Sequence, residues 1–127
     1  DRDGGGAKGL RTILERLNEG RAIMMFPEGT RSPDGKQQAV QSGIGLMIAK
    51  SNAPVIPVRV FGTYEAYGRH HTVPRPNRVK VKFGVPLAFK ELRAESNDCT
   101  SDRRREIYQK LSEELMATIA SLEPKTD

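Results

Sequence analysis

The run Phe26-Pro27-Glu28-Gly29-Thr30-Arg31-Ser32 gathers the side chains best suited to chemistry into one short stretch. It sets a carboxylate, a glycine, two hydroxyls and a guanidinium directly after the apolar segment Ala22–Phe26. Arg31 presents a planar fork of donors that matches a phosphate or a carboxylate. Gly29 permits close backbone approach or a dihedral that other residues avoid. Thr30 and Ser32 add hydroxyl donors, and Glu28 is suited to orienting Arg31 or accepting from a substrate hydroxyl. A plainer reading stays open here: a connecting loop with a Glu–Arg pair on its surface.

The elements that must position this run follow from hydrophobic spacing. Leu10, Ile13, Leu14 and Leu17 form one apolar stripe at helical spacing, after a flexible opening Asp3-Gly4-Gly5-Gly6, and Gly20 is placed to cap the helix in the left-handed region. The unbroken run Ala22–Phe26 predicts a strand buried on both faces, stopped by Pro27. Residues Pro27–Gln38 read as a long loop, and a helix is expected over about Val40–Ser51, with Gly43 and Gly45 allowing close packing. Val55–Phe61 predicts a second buried strand, interrupted at Pro57 by an edge position or bulge. Gly62 to Asn77 reads as irregular. Val79-Lys80-Val81-Lys82-Phe83 alternates, as a strand with one wet face does. Asp102–Leu122 closes the chain as a helix whose Ile107, Leu111, Leu115, Ile119 and Leu122 face the core. Helix, strand, helix, strand, strand, helix is an α/β order, and ligands of open α/β sheets bind where strands end.

At 127 residues the chain is one domain's worth, with residues 1–122 as the folded unit and 123–127 as a tail. No apolar run approaches the roughly 20 residues of a membrane-spanning helix. The net charge of +5 favours an anionic partner such as a phosphate ester or a membrane surface. Nucleic acid has only that charge in its favour, since no recognition module is visible. The single cysteine, Cys99, excludes an internal disulfide and a cysteine-based zinc site, and suits a reducing compartment. His70 and His71 are adjacent, so their side chains diverge, and no metal is expected. Residues 66–90 carry no acid but hold Arg69, Arg75, Arg78, Lys80, Lys82 and Lys90. The two strand lysines read as a solvated face and the three arginines as a lipid-facing patch.

Phe26–Ser32 resembles the third conserved block of the glycerolipid acyltransferases, the family that includes 1-acylglycerol-3-phosphate acyltransferase. Val55-Ile56-Pro57-Val58 looks like that family's fourth block, and Asp1-Arg2 resembles the tail of its second. The order of the three blocks matches, over residues 1 to about 90. The resemblance implies part of a glycerol-3-phosphate acyltransferase-type domain, a mixed, mostly parallel sheet flanked by helices. It implies acyl transfer from acyl-CoA or acyl carrier protein to the free hydroxyl of 1-acylglycerol-3-phosphate, giving phosphatidic acid, with no further cofactor. Glu28, Gly29, Thr30, Arg31 and Ser32 would bind the glycerol-phosphate part with Arg2 assisting, and Val55, Ile56, Pro57 and Val58 would shape the acyl or acceptor side. It also implies a site at the cytoplasmic side of a membrane, peripheral or anchored by a segment outside this chain.

Two departures qualify these expectations. The family's catalytic pair is His-x-x-x-x-Asp, yet Arg75 and Pro76 stand five positions after His70 and His71. The catalytic pair is therefore expected before Asp1, and this chain alone is expected to be inactive. Val40-Gln41-Ser42-Gly43 stands where many relatives carry Phe-Lys-x-Gly, which removes a second cation for the phosphate. The rival reading is a non-catalytic phospholipid-binding module that retains the acceptor pocket only, and a third is an acyltransferase domain fused to another catalytic unit.

Overall fold

A computed structural model describes residues 6–41 and 43–124. Among these described residues, five helices and two short strands run in the order α1 (Gly6–Asn18), α2 (Ile44–Lys50), β1 (Val58–Phe61), α3 (Thr63–Tyr67), β2 (Lys80–Phe83), α4 (Lys90–Asn97) and α5 (Ser101–Ser121). Arg2 and the opening Asp3-Gly4-Gly5 lie outside the described residues, while Gly6 already belongs to α1.

The core forms where α2 lies on α5. Ile44, Ile48 and Ala49 of α2 meet Ile107, Leu111 and Leu115 of α5, and Val40, Val55, Leu87, Phe89, Leu92 and Ile119 close around them. Ile107, Leu111 and Leu115 recur every four residues, which puts them on one face of α5. Thr100 caps this helix, its side chain accepting from Arg103 N at 3.2 Å. The two glycines of the α2 entry serve different ends. Gly43 takes the left-handed conformation with open space around it, whereas Gly45 is buried directly against the Tyr108 backbone of α5.

Arginines tie the remaining elements to this pair. The half-buried Arg93 guanidinium of α4 donates to Ile48 O, Ala53 O and Ala88 O at 2.9, 2.6 and 2.8 Å, and burial lowers its pKa from the ordinary arginine value. Arg103 of α5 grips Glu95 of α4 with two parallel bonds of 2.5 and 3.1 Å, a fork-to-carboxylate pair that holds the Glu95 carboxyl below its usual range. Arg59 of β1 donates to Ala120 O and Leu122 O, anchoring the strand pair to the end of α5.

The sheet differs from the expected one. The described residues form a two-stranded antiparallel sheet, β1 against β2 with Val58 opposite Phe83 and Phe61 opposite Lys80, in place of a mostly parallel mixed sheet. Ala22–Phe26 is not a strand. It runs exposed, Met24 at 85% and Phe26 at 74%, because no strand among the described residues lies beside it to complete a ladder. Pro57 acts as expected: it separates the isolated Val55–Leu87 bridge from β1, and it is buried with its carbonyl accepting from Gly84 N at 2.8 Å.

The face of β2 expected to be dry is exposed, Lys82 is exposed as the alternation predicts, and Lys80 is half-buried. Val60, Val81 and Phe83 share one face and remain exposed, while Arg59, whose side chain reaches α5, lies on the face of Phe61 and Lys80. Ile56 and Val85 extend the apolar row at either end, also exposed. The α1 stripe is likewise only half-buried, although its C-terminus is built as expected. Gly20, at φ 83°, donates to Leu17 O and Arg21 donates to Arg16 O, both at 3.0 Å, the paired bonds of a glycine-capped helix end.

Candidate functional site

Residues Pro27–Gln41 form a loop whose ends are drawn together by main-chain chemistry. Gln41 N donates to Pro27 O at 2.7 Å, and Gly29 N closes a tight turn onto Phe26 O at 2.9 Å. Gly29 is required there on two counts. Its φ is 68°, and a Cβ would lie 2.7 Å from Gln41 Cγ. Both properties expected of this glycine, close approach and an unusual dihedral, are present.

Glu28 is half-buried, and its Oε2 accepts from Gln38 N at 2.5 Å. The carboxylate thus closes the loop across ten residues, and no bond joins it to Arg31 among the described residues. Its carbonyl accepts from Gln41 Nε2 at 3.0 Å, so Gln41 grips the Pro27–Gly29 turn through both side chain and backbone. A further tether comes from outside: Gln37 Nε2 donates to Met116 O of α5 at 3.0 Å. Removing the carboxylate leaves a part-buried N–H without its charged acceptor. Glu28→Ala is therefore expected to lower the unfolding free energy by about 1.5–3 kcal/mol in urea titration, with Glu28→Gln recovering roughly 1 kcal/mol of it.

The hydroxyls divide. Ser32 is consumed internally: its Oγ donates toward Lys36 O at 2.8 Å and accepts from Asp34 N at 3.3 Å. Asp34 in turn accepts from Lys36 N at 3.0 Å, a backbone bond that holds its carboxyl below the ordinary aspartate value, helped by Ser32. Ser32 therefore shapes a turn, its hydroxyl engaged within the loop. Thr30 and Arg31 stand exposed on the outer side of the same loop, and no side-chain partner is found for either among the described residues.

The second expected segment is scattered. Val55 packs on the core and bridges Leu87, Ile56 is exposed, Pro57 is buried and Val58 is half-buried in β1. No hydrogen bond joins these residues to Glu28–Ser32 among the described residues. Two cavities among the described residues, of about 370 and 380 Å³, lie around α4 and are lined by no residue of the loop. His71 is half-buried, its Nδ1 accepting from Gly68 N at 3.1 Å, while His70 is exposed. No helix among the described residues is long and apolar enough to cross a membrane.

The loop sequence and its surroundings match known proteins. Residues 1–61 match the Acyltransferase family model. The crystal structure of the 1-acyl-sn-glycerophosphate (LPA) acyltransferase PlsC from Thermotoga maritima superposes with a TM-score of 0.61 at 26% identity, over 89% of this chain and 46% of that one. The first 61 residues of this chain carry the acyltransferase family's pattern. The 1-acyl-sn-glycerol-3-phosphate acyltransferase BAT2, chloroplastic, of Brassica napus is 37% identical over 54 residues, 42% of this chain and 16% of that protein. The 1-acyl-sn-glycerol-3-phosphate acyltransferase of Limnanthes alba is 32% identical over 78 residues, 61% of this chain and 27% of its own length. The chain thus spans less than half the length of each of these relatives. Within its part of the acyltransferase fold, sequence reasoning missed Gln38 and Gln41, which hold the loop through contacts ten and thirteen residues from Glu28. Only the Phe-Lys-x-Gly comparison at Gln41 offered a signal.

Proposed function

We propose that this chain supplies the acceptor-phosphate half of an O-acyltransferase of phospholipid synthesis. The reaction moves an acyl group from a thioester, on coenzyme A or acyl carrier protein, to the free hydroxyl of 1-acylglycerol-3-phosphate. The acceptor oxygen attacks the thioester carbonyl carbon, the carbon–sulfur bond breaks, and the hydroxyl proton passes through a base to the leaving thiolate. In this reading the base and its aspartate lie outside residues 1–127, and Arg2 assists Arg31. Thr30 and Gly29 complete the phosphate contact. Arg69 and Arg75 meet an anionic lipid surface.

The observation that carries the reading is the Arg31 guanidinium itself. It sits on a loop braced by Glu28, Gln38 and Gln41 and spends none of its donors on another described side chain. A positioned cation with unspent donors is what a phosphate monoester requires. The test is acyl transfer by the whole protein that carries this chain. Arg31→Ala is expected to raise KM for 1-acylglycerol-3-phosphate about ten- to a hundred-fold, the loss of a charge-assisted contact of roughly 1.5–3 kcal/mol. An unchanged KM would remove Arg31 from the acceptor site. The 127-residue chain alone is expected to give no turnover, and measurable transfer by it would overturn the placement of the base.

A non-catalytic phospholipid-binding module is the second reading. Acceptor binding without acyl transfer by the whole protein would decide for it.

A further inference from the structure

The Glu28–Lys36 segment is held from a second direction by an aromatic ring on another element. Tyr64 of α3 donates its hydroxyl to Pro33 O at 3.1 Å, across 31 positions of sequence. Its ring lies under Gly35, at φ 80°, where a Cβ would come 3.1 Å from Tyr64 Cδ1 and 3.3 Å from Cγ. The ring is itself fixed from behind. Gly68 is buried so close to it that a Cβ would meet Tyr64 O at 2.7 Å and Cδ2 at 3.0 Å. His71, engaged by Gly68 N, sets its imidazole 6.2 Å from the tyrosine ring at 40°. The start of α3 is fastened by Asn77 Nδ2 and Ala66 N, which both donate to Gly62 O.

Arg31 sits between two anchors, three residues after Glu28 and two before Pro33. Its side chain has no partner of its own among the described residues, so only the backbone on either side limits where the guanidinium goes. A loop already ordered before binding loses less conformational freedom when a ligand arrives. We propose that Tyr64 is a positioning residue for the phosphate-binding loop, setting the direction of Arg31 by clamping Pro33 and Gly35. This rests on the acceptor-phosphate reading of Arg31. Nothing in the spacing of Tyr64 relative to the loop points to it in the sequence; the fold alone brings them together.

The test is NMR titration of the isotope-labelled 127-residue chain with sn-glycerol 3-phosphate, comparing wild type with Tyr64→Phe, Arg31→Ala and the double variant. Tyr64→Phe keeps the ring on Gly35 and removes only the bond to Pro33. It is expected to weaken binding about fivefold and to lower the backbone order parameters of Arg31 and Ser32, with the melting temperature little changed. In the Arg31→Ala background the same change is expected to have no further effect on affinity, because a clamp acting through Arg31 has nothing left to position. Gly35→Ala, which pushes a methyl onto the ring, is expected to reproduce the loss from the loop side.

Wild-type affinity in Tyr64→Phe, or an equal loss with and without Arg31, would overturn the proposal. If Tyr64→Phe melts early, Gly35→Ala decides by the same comparison. Should Arg31→Ala bind as well as wild type, the acceptor-phosphate reading fails and the clamp's function with it. Weak binding by Arg31→Ala beside unchanged binding by Tyr64→Phe sinks the clamp alone.

Discussion

Gly45→Ala is expected to destabilise the chain by about 3 kcal/mol or more. A Cβ at this position would stand 1.7 Å from Tyr108 O and 2.4 Å from Tyr108 C. Those atoms are backbone in the middle of α5, so they cannot swing aside as a side-chain tip would. The two helices would have to separate, and the packing of Ile44 and Ile48 against Ile107 and Leu111 would loosen with them. Helix propensity argues the other way, since alanine is favoured over glycine by about 1 kcal/mol in a helix interior. The sign of the change therefore tells which effect rules. Urea unfolding gives it, and a variant as stable as wild type would mean that α2 and α5 are not in this contact.

Leu111→Ala comes next, with an expected loss of about 2–5 kcal/mol. Leu111 of α5 is fully buried against α2, at 0% exposure, so truncation removes apolar contact on several sides and leaves a void that the packed pair cannot readily fill. Domains are stable by only about 5–15 kcal/mol in total, and either substitution takes a large share of that. Val85→Ala is the matched control. Its side chain is 79% exposed, and the expected change is within about 0.5 kcal/mol. Equal losses at the two positions would contradict the placement of the core.

The helices that carry this core were readable because their apolar residues repeat on one face. The spacing of Ile107, Leu111 and Leu115 located α5 nearly to its ends, and Gly20 located the end of α1. The shorter helices gave no such signal. α4, Lys-Glu-Leu-Arg-Ala-Glu-Ser-Asn, is almost wholly polar and is held by Arg93 and Arg103 bonds that periodicity does not register. α3 is a five-residue helix between two glycines, inside a stretch that reads as irregular.

Strands fared worse for a different reason. Apolar runs such as Ala22–Phe26 report a preference, but a strand exists only where a partner lies beside it, and that is decided far away in sequence. The same limit left Val81 and Phe83, the expected dry face of β2, exposed, while Lys82 is exposed as alternation predicted.

At the candidate site, residue type was informative and partnership was not. Gly29 and Arg31 could be singled out from their chemistry; Gly29 takes a positive φ of 68° and Arg31 stands exposed on the loop. Glu28 was singled out too, yet its carboxylate holds Gln38 and not Arg31. Ser32 was expected to face a ligand but folds back on Lys36, because a hydroxyl beside Pro33-Asp34-Gly35 finds backbone groups within a turn. Gln38, Gln41 and Tyr64 are ordinary polar and aromatic residues whose importance arises only from the folded path of the loop.

The most direct measurement is calorimetric titration of the 127-residue chain with a short-chain 1-acylglycerol-3-phosphate kept below its micelle concentration, beside the corresponding 1-acylglycerol that lacks the phosphate. Saturable binding that needs the phosphate, falls ten- to a hundred-fold in Arg31→Ala, and is partly retained in Arg31→Lys is the predicted result, since lysine keeps the charge but not the fork. Equal affinity for the two lipids, or wild-type affinity in Arg31→Ala, would contradict it.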